Sequence, residues 1–296
     1  MKVSIITTCL NAAKFISAAM ASVGEQSYRN LEHVITDGGS TDGTLQLVEE
    51  RGARRDLSVV YDSRPDKGIY DGLNRAIGLA TGEIIGICNA DDLMLPSAVE
   101  AVVDLFHRNP SVDMVTAGVS YFLDGRQDDL RQAIPARQMS LEGLAFGLPA
   151  INGRFVRRDA YERFGLFSQE LPLAADRIWL MQAAQAGLSE AVLGKVIYRY
   201  RMHAESQSMG GDTSTRQRLR NDHLTMTRKL LAQADEGEMA RVCREFRAIE
   251  GTKLMMAGAS ARAVAADLRG LDPDWTMSAL KAIVPWLRWR GKHSNA

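Results

Sequence analysis

The sequence predicts an α/β protein in which strands and helices alternate around a mostly parallel sheet. Apolar runs at residues 3–8, 32–37 and 82–92 end in polar or glycine residues and lead into helical stretches. Continuous apolar runs are typical of strands that are buried on both faces of a parallel sheet. Ligands bind beyond the carboxyl ends of such strands, so the polar residues there are the candidate functional residues.

The connections between the strands have the residues that turns and helix starts require. The strand that ends at Asp37 is followed by two glycines, which allow a tight turn, and by residues 40–42, which can cap a helix. The predicted helices lie at residues 12–26, at residues 45–48, within residues 64–77 and from near Pro96.

Asp91 and Asp92 close the apolar run of residues 82–92. Two adjacent carboxylates repel each other and lose solvation when partly buried, so a cleft that keeps them usually supplies a cation or a hydroxyl donor. Oxygen ligands without nearby Cys or His suit Mg²⁺ or Mn²⁺, and Mg²⁺ binds one or two carboxylates together with substrate phosphates. The same pair could instead cap the helix that begins near Pro96. The residues themselves leave both interpretations open.

Composition narrows the classes of function. The 296 residues include 36 basic and 36 acidic side chains, whereas a general nucleic-acid binder is strongly positive, so we expect no nucleic-acid partner. Three cysteines without Cys-x-x-Cys spacing indicate neither a disulfide framework nor a thiolate metal site. We find no secretory signal peptide and no apolar run of about 18 residues, so we expect a cytoplasmic protein.

Four ordered segments make the chain resemble the family 2 glycosyltransferases of the GT-A fold. They are residues 3–11, residues 36–44 with the sequence Thr-Asp-Gly-Gly-Ser-Thr-Asp-Gly-Thr, residues 66–74 continued through residues 80–92, and residues 165–180. The third segment is similar to the bacterial polysaccharide biosynthesis branch of that family. The resemblance spans residues 1–208 and implies a Rossmann-like nucleotide-sugar-binding domain with flanking helices.

The resemblance also implies roles for individual residues. Asp37 would accept a hydrogen bond from the uracil ring, Asp91 would bind the ribose side, and Asp92 would hold the Mn²⁺ or Mg²⁺ that bridges the diphosphate. His203 would contact the diphosphate or complete the metal site. Asn89 replaces the first acid of a strict Asp-x-Asp motif, so the division of roles between the two aspartates stays open. The implied nucleotide-binding residues are Thr8, Asn11, Asp37, Asp66, Lys67, Asn74 and Asp91.

Asp176 is the candidate general base. It precedes an amphipathic stretch at residues 178–186 and lies in the segment that resembles the acceptor side of the family. In an inverting transfer, a carboxylate takes the proton of the acceptor hydroxyl as that oxygen attacks the anomeric carbon, and such a base contributes on the order of 10²–10⁴-fold. As an aspartate next to a helix, Asp176 could instead be an N-cap.

The implied activity is metal-dependent transfer of one sugar, of the hexosyltransferase type, from a nucleotide sugar, with UDP as the expected nucleotide, to a saccharide or lipid-linked saccharide. A non-catalytic nucleotide-sugar-binding protein is an alternative. Residues 7–11 contain no glycine, which disfavours a nucleotidyltransferase and a dinucleotide oxidoreductase. A processive synthase is disfavoured because Gln-x-x-Arg-Trp is absent near residues 177–182 and because no transmembrane helix is predicted.

The organisation changes near residues 210–215, where the strand pattern ends. We predict a catalytic domain at residues 1–210 and a helical region at residues 211–296. The tail from Trp275 to Lys292 combines three tryptophans with four basic residues and no acidic residue. It is predicted either to rest on the inner face of the cytoplasmic membrane as a peripheral contact or to pack against protein. Beyond residue 215, the spacing of the apolar residues predicts helices at residues 216–234, 236–256 and 259–268.

Overall fold

The computed structural model describes residues 1–54, 56–203, 206 and 213–256 of the chain. Its strands are β1 (Val3–Cys9), β2 (Leu31–Asp37), β3 (Ser58–Ser63), β4 (Ile84–Ile87), β5 (Leu93–Met94), β6 (Met114–Leu123), β7 (Arg126–Ile134), β8 (Arg154–Arg157) and β9 (Glu190–Met202). Its helices are α1 (Ile16–Gly24), α2 (Thr44–Ala53), α3 (Ile69–Leu79), α4 (Ala98–Arg108), α5 (Leu141–Phe146), α6 (Arg158–Phe164), α7 (Ala175–Gln185), α8 (Thr213–Gln233) and α9 (Glu238–Met256), with a short 3-10 helix η1 (Ile151–Gly153) before β8. The predicted α/β class is confirmed.

The chain divides into two units. The first comprises Met1–Gln138, Ala150–Gln169 and Gly187–His203, and it contains every strand of the described residues. The second comprises Met139–Pro149, Glu170–Ala186 and the described residues from 206 onwards, and it contains α5, α7, α8 and α9. The domain boundary expected near residue 210 stays a prediction.

One mixed sheet organises the first unit. The strand order is β3-β2-β1-β4-β8-β6-β9-β5, and β7 pairs with β6. The first four strands in this order are parallel neighbours, so the carboxyl ends of β1 and β2 meet at one edge, where Cys9 pairs with Asp37. Beyond β4 most pairings are antiparallel, although β6 and β9 are parallel. The predicted parallel pairing therefore holds for the first four strands, whereas a tight turn at Gly125 (φ 76) makes β6 and β7 an antiparallel hairpin.

The apolar runs that predicted the strands form the core of this unit. β2 and β4 are buried along their whole length, and side chains of α1 and α4 pack in the same cluster as Ile5 and Ile84. Burying one such side chain stabilises the fold by about 1.5–3 kcal/mol. Gly86 is required where β4 meets β8, because a Cβ atom there would lie 2.4 Å from Cε1 of Phe155. This packing holds the strand ends, and hence the loops after them, in place.

The start of α1 differs from the sequence-based expectation. The helix begins at Ile16 rather than at residue 12. The backbone N–H of Ala12 donates to Thr44 Oγ1 (2.8 Å), and that of Ala13 donates to Asp42 Oδ2 (2.9 Å). These bonds hold residues 12 and 13 against the loop between β2 and α2, so they belong to a connection between two loops rather than to the helix.

The described part of the second unit is helical. The helices predicted at residues 216–234 and 236–256 are confirmed. Between α8 and α9, His223 Nδ1 lies 3.0 Å from Glu250 Oε2, and the buried Arg247 donates to the backbone carbonyl of Leu224. Within the described residues, no helix has the length and apolar character needed to cross a membrane. The predicted helix at residues 259–268 and the tail from Trp275 to Lys292 lie outside the described residues.

Glu32 should make the stability of the first unit depend on acid pH. Burial raises the pKa of its carboxyl, but hydrogen bonds from Lys2, Ser4 and Thr81 lower the pKa by more than burial raises it, so that it falls to about 2. A carboxyl whose pKa is depressed on folding stabilises the protein above its unfolded pKa of about 4.3, and this stabilisation is lost as the pH falls towards 2. We expect Glu32→Gln to remove on the order of 3 kcal/mol at neutral pH and to flatten the acid limb of urea unfolding measured between pH 6 and pH 2.5.

The exposed Glu83 provides the matched control, because its carboxylate accepts one hydrogen bond from the same Lys2, through the backbone N–H. Glu83→Gln should change stability by less than about 0.5 kcal/mol. Parallel stability curves for wild type and Glu32→Gln would contradict the assignment.

Candidate active site

The loops after β1 and β2 are tied together by Asn11. Its backbone N–H donates to Ser40 Oγ (2.7 Å), and its side-chain Oδ1 accepts from the N–H of Thr41 (2.9 Å). Asn11 adopts the left-handed backbone conformation (φ 51), which asparagine tolerates better than most residues. The predicted nucleotide-binding residue Asn11 therefore shapes the loop, and its amide oxygen is engaged within the protein.

Asp37, at the end of β2, is 2% exposed and is surrounded by donors. Its carboxylate accepts from the backbone N–H groups of Gly39 (3.1 Å) and Ser40 (3.0 Å), from the Ser40 hydroxyl, and from Ser63 Oγ (2.7 Å). Burial raises the pKa of Asp37, but these hydrogen bonds lower it below its usual value. Ser40 thus binds Asp37 instead of capping α2, whose N-cap is Gly43 (φ 95). Both oxygens of Asp37 serve to close this loop.

Asp66 packs closely against two glycines, Gly38 in the loop after β2 and Gly72 in α3. A Cβ atom at Gly38 would lie 2.8 Å from Asp66 Oδ2, and one at Gly72 would lie 2.1 Å from Thr8 Oγ1 and 3.3 Å from Asp66 Oδ2. Asp66 Oδ1 accepts from the N–H of Gly68 (2.9 Å), while Oδ2 lies 3.7 Å from Nη2 of Arg75. The structure therefore brings together two predicted nucleotide-binding residues, Thr8 and Asp66, and within the described part of the chain the polar contact of Asp66 Oδ2 is the long one to Arg75.

Two other predicted nucleotide-binding residues contact the protein itself. The Asn74 side chain donates to the Phe167 carbonyl (2.8 Å) and accepts from the Phe167 N–H (3.0 Å), so it fastens α3 to the segment after α6. Lys67 is exposed, and its backbone N–H donates to Asp71 Oδ2 (3.0 Å). Asn74 has a structural role in these contacts, whereas the Lys67 side chain faces solvent.

Asp91 and Asp92 lie in the turn between β4 and β5, four and five residues after Ile87, the last residue of β4. They do not cap α4, whose N-cap is Ser97. Asp92 is 2% exposed, and its carboxylate accepts from the Arg201 N–H (2.7 Å), the Tyr198 hydroxyl (2.8 Å) and Asn89 Nδ2 (2.9 Å). Burial, and then the charge of Asp91, raise the pKa of Asp92.

Asp91 differs from its neighbour in exposure and in partners. Its side chain is 32% exposed, and its Oδ2 lies 2.9 Å from Nε2 of His203. The His203 ring lies 4.5 Å from the ring of Phe15 at the start of α1, and its buried Nδ1 has no hydrogen-bond partner among the described residues. The structure thus pairs two sequence-predicted residues, the partly exposed Asp91 and the largely buried His203.

The Asp91 and His203 pair fits a divalent cation only in part. No group of three or more His, Cys, Asp or Glu side chains within the described residues could hold a metal ion. Mg²⁺ commonly binds proteins through one or two ligands and completes its shell with waters and substrate phosphates. The partly exposed carboxylate of Asp91 and the largely buried imidazole of His203 are compatible with such a shared site, whereas the buried Asp92, which accepts three hydrogen bonds, is less suited to it.

Sequence reasoning missed several residues around this turn. Arg201 donates from Nε to the Asp91 carbonyl (2.7 Å) and from Nη1 to Asp124 Oδ1 (2.9 Å), and Lys14 Nζ lies 3.3 Å from Asp124 Oδ2. Tyr198, whose hydroxyl binds Asp92, was not singled out either. A signal was present in the alternation Tyr-Arg-Tyr-Arg at residues 198–201, because alternate residues of a strand share one face, so the two tyrosines are expected on one face and the two arginines on the other. The sequence does not show that β9 pairs with β5, next to Asp92.

Asp176 lies in the second unit, as the second residue of α7. The N-cap of α7 is Ala174, so the alternative that Asp176 caps the helix is contradicted. The helix starts at Ala175, before the predicted residue 178, and an acidic residue in a first turn is favourable next to the helix dipole. Asp176 Oδ1 accepts from the N–H of Arg177 (2.8 Å), and Arg177 Nη1 donates to the carbonyls of Leu144 and Ala145 near the end of α5. These contacts hold the first turn of α7.

Comparison with known proteins gives consistent matches. The model of the family described as glycosyl transferase family 2 matches residues 4–168. An uncharacterized glycosyltransferase of Haemophilus influenzae is 26% identical over 220 residues, which cover 70% of this chain and 67% of that protein. The chondroitin synthase of Escherichia coli is 27% identical over 207 residues, which cover 70% of this chain but only 30% of that enzyme.

Solved structures share the fold. Staphylococcus aureus TarS in complex with UDP-GlcNAc superposes with a TM-score of 0.70 at 19% identity, over 94% of this chain and 81% of that one. The mannosyltransferase PcManGT of Pyrobaculum calidifontis, in complex with GDP-Man and Mn²⁺, has a TM-score of 0.64 at 21% identity, over 99% of this chain and 84% of that one. The predicted GT-A fold is confirmed.

The contrast between Asp37 and Asp66 can be tested without any ligand. We expect Asp37→Asn to lower the free energy of unfolding by about 1–3 kcal/mol, because the amide nitrogen cannot accept the bonds made to one carboxylate oxygen. Asp66→Asn is the matched control and should cost less than about 1 kcal/mol, since Oδ1 can still accept from Gly68. Urea unfolding of both variants measures the difference, and equal losses would contradict the structural role of Asp37.

Proposed function

Because the chain belongs to glycosyl transferase family 2, whose model matches residues 4–168, we propose that it transfers one sugar from a nucleoside diphosphate sugar to a saccharide or lipid-linked saccharide in polysaccharide biosynthesis. The observation that carries the proposal is the arrangement at one edge of the parallel strands. There Asp66 Oδ2 has only a 3.7 Å polar contact with Nη2 of Arg75 among the described residues, the Asp91 side chain is 32% exposed, and His203 Nε2 lies 2.9 Å from Asp91 Oδ2. Asp66 offers a hydrogen-bond acceptor for a nucleotide base, and Asp91 with His203 offers ligands for a cation that also binds the diphosphate.

The base is proposed to meet Asp66 rather than Asp37. A carboxylate oxygen is an acceptor, so it suits a base edge that donates, such as the imide N–H of uracil. Both oxygens of Asp37 already accept hydrogen bonds from Ser40, and one also accepts from Ser63. Asp66 Oδ2 lies close to Gly38 and Gly72, and its polar contact among the described residues is Nη2 of Arg75 at 3.7 Å. TarS binds UDP and UDP-GlcNAc, and PcManGT binds GDP-Man. Uracil and guanine both present such a donor, and UDP is our proposed nucleotide.

Asp91 and His203 are proposed to hold Mn²⁺ or Mg²⁺ together with the diphosphate of the donor. When bound, such a cation stabilises the negative charge that develops on the departing nucleoside diphosphate. Asp92, which the resemblance first implied as the ligand, is proposed to hold the turn instead, because its oxygens accept three hydrogen bonds from the protein. The Mn²⁺ in PcManGT supports the choice of ion by analogy.

Asp176 is proposed as the general base of an inverting reaction. The acceptor oxygen forms a bond to the anomeric carbon while the bond from that carbon to the diphosphate oxygen breaks. The proton of the acceptor hydroxyl passes to the Asp176 carboxylate. The contacts of Arg177 with α5 hold the first turn of α7, which keeps the direction of the Asp176 side chain constant.

The two neighbouring aspartates should respond differently to the same substitution. We expect Asp91→Asn to weaken the binding of UDP in the presence of Mn²⁺ more than about ten-fold, with little change in melting temperature, because Asp91 is partly exposed. Asp92→Asn should lower the melting temperature by roughly 2–8 °C, because one buried oxygen can no longer accept. Calorimetric titration with UDP in Mn²⁺ or in EDTA, together with thermal unfolding, measures both effects.

Other outcomes would change which residue is assigned as the ligand of the cation. If Asp92→Asn abolishes the Mn²⁺ effect at an unchanged melting temperature while Asp91→Asn binds like wild type, Asp92 is the ligand. Equal UDP affinity of the wild type in Mn²⁺ and in EDTA would refute the proposed cation.

Asp176→Asn should reduce turnover more than about 100-fold while the affinity for the donor stays within about two-fold, because the amide keeps the shape but cannot take a proton. The readout is release of nucleoside diphosphate from a panel of UDP and GDP sugars, with saccharide acceptors. Asp159→Asn is the matched control, since Asp159 also lies in the first turn of a helix. Near wild-type turnover of Asp176→Asn would refute the general base, and binding without any transfer by the wild type would favour a non-catalytic sugar-nucleotide binder.

The tail from Trp275 to Lys292 is proposed to contact an anionic membrane surface and so bring the enzyme to a lipid-linked acceptor. Tryptophan favours the bilayer interface, and each Lys or Arg near an anionic surface contributes about 1 kcal/mol. We expect the full chain to sediment with anionic vesicles, and a variant that ends at Asp274 to stay in the supernatant. Equal sedimentation of both would reject the contact, and unfolding of the shortened protein would favour packing against protein.

A further inference from the structure

A chain of three hydrogen bonds, of which the first is partly buried and the other two are buried, runs into the turn that contains Asp91 and Asp92. The Tyr200 hydroxyl donates to Asn152 Oδ1 (3.1 Å), Asn152 Nδ2 donates to the Tyr198 hydroxyl (3.1 Å), and that hydroxyl donates to Asp92 Oδ2 (2.8 Å). Tyr198 is fully buried and Asn152 nearly so. None of these three residues belongs to a sequence motif of the candidate site, and each uses a polar group that an apolar core would exclude.

Filling space does not explain this chain. A buried hydroxyl or amide stabilises a fold only when it is hydrogen-bonded, and apolar side chains of similar size would fill the volume without that requirement. The tyrosine rings already provide apolar packing, since Tyr198 and Tyr200 lie edge to face at 5.0 Å and Tyr121 stacks on Tyr200 at 5.4 Å. The polar groups must therefore do something that the rings alone do not.

The chain fixes the turn at both of its ends. At the first end, the backbone N–H of Asn89 donates to the Tyr198 hydroxyl (2.9 Å), and Asn89 Nδ2 donates to Asp92 (2.9 Å). At the second end, Asp92 accepts from the Arg201 N–H, and Arg201 Nε donates to the carbonyl of Asp91 (2.7 Å). Every bond in this set joins the turn to β9 or closes the turn on itself. The position of Asp91 relative to β9 is thereby restricted.

β9 also carries His203, one residue beyond its end at Met202. The same hydrogen bonds that fix the turn therefore fix the distance between the carboxylate of Asp91 and the imidazole of His203, which lie 2.9 Å apart. Groups that orient a ligand residue from behind commonly change metal affinity by about 10–100-fold when they are removed.

We propose that Tyr198, acting through Asp92, is a positioning residue that holds Asp91 and His203 in the arrangement that binds the cation and the donor diphosphate. The proposal rests on the proposed function. Tyr198 itself is not proposed to contact the sugar-nucleotide donor. Its hydroxyl receives hydrogen bonds from Asn89 and Asn152 and passes one to Asp92, so a single atom connects η1, the turn and β9.

The test is the substitution Tyr198→Phe, which removes one oxygen and keeps the ring. The readout is the affinity for UDP, measured by calorimetric titration in Mn²⁺ and again in EDTA. We expect an affinity about ten-fold lower in Mn²⁺ and nearly unchanged in EDTA. Electron paramagnetic resonance of Mn²⁺ in the presence of UDP should show the same loss of bound metal.

Tyr121→Phe is the matched control. Tyr121 is buried in the same aromatic cluster and stacks on Tyr200, but its hydroxyl has no hydrogen bond to Asp92 or to any other described residue. Its UDP affinity should equal that of the wild type in both solutions. A loss in Tyr121→Phe as large as in Tyr198→Phe would show that general loosening of the cluster is responsible, and would overturn the proposal.

Asn152→Ala carries the test if Tyr198→Phe does not fold, because it removes the preceding link and leaves the Tyr198 hydroxyl in place. We expect a smaller loss of affinity, again confined to Mn²⁺. The proposal is overturned if the variant that folds binds UDP like the wild type in Mn²⁺, or loses affinity equally in Mn²⁺ and in EDTA. A wild type without any Mn²⁺ effect would overturn the proposed cation together with this inference, whereas a Mn²⁺ effect retained in Tyr198→Phe overturns this inference alone.

Discussion

A buried carboxylate needs hydrogen-bond donors, and Asp92 is such a carboxylate in this protein. The residues around it are arranged to supply those donors. The donors to Asp92 are the side chain of Asn89, in the same turn, and two groups of β9, the Tyr198 hydroxyl and the Arg201 N–H, which lie 106 and 109 residues further along the chain. β9 must therefore run beside β5, and this pairing brings His203 to Asp91. Without these donors, the burial of Asp92 would cost several kcal/mol. The pairing of Asp91 with His203 thus depends on the buried Asp92.

The loops proposed to bind the nucleotide depend on a second constraint, the parallel pairing of β1 with β2. Parallel neighbours end at the same edge, so the loops after them must share a small space. Asn11 and Ser40 join these loops, and Asp37 closes one of them with both of its oxygens. Gly38 and Gly72 are the positions where the chain comes too close to Asp66 and Thr8 for any side chain.

Asp91 and Asp92 show how burial separates two identical side chains. They are adjacent in sequence and carry the same functional group, yet one is partly exposed and the other is enclosed by three donors. Burial and the neighbouring charge raise the pKa of the enclosed carboxyl. Differences of environment of this kind commonly assign two carboxylates to different roles. Here they favour ligand contact for Asp91 and support of the turn for Asp92.

β3 contains no buried residue and was not predicted. Local patterns in the sequence predicted the alternation of strands and helices, the three parallel strands β1, β2 and β4, and the turns where the polar residues gather. Those features are local, because they depend on apolar periodicity, glycine and the residues that end strands. The sequence also singled out Asp91 and His203, which the structure joins, together with Asp37, Asn11 and Asn74, whose side chains prove to bind the protein itself. Only the folded chain shows that Asp92 is the buried carboxylate of the pair, which carboxylate oxygens are already hydrogen-bonded, and that Tyr198 reaches Asp92. Each of these depends on the register between strands far apart in the chain, and no local pattern in the sequence encodes that register.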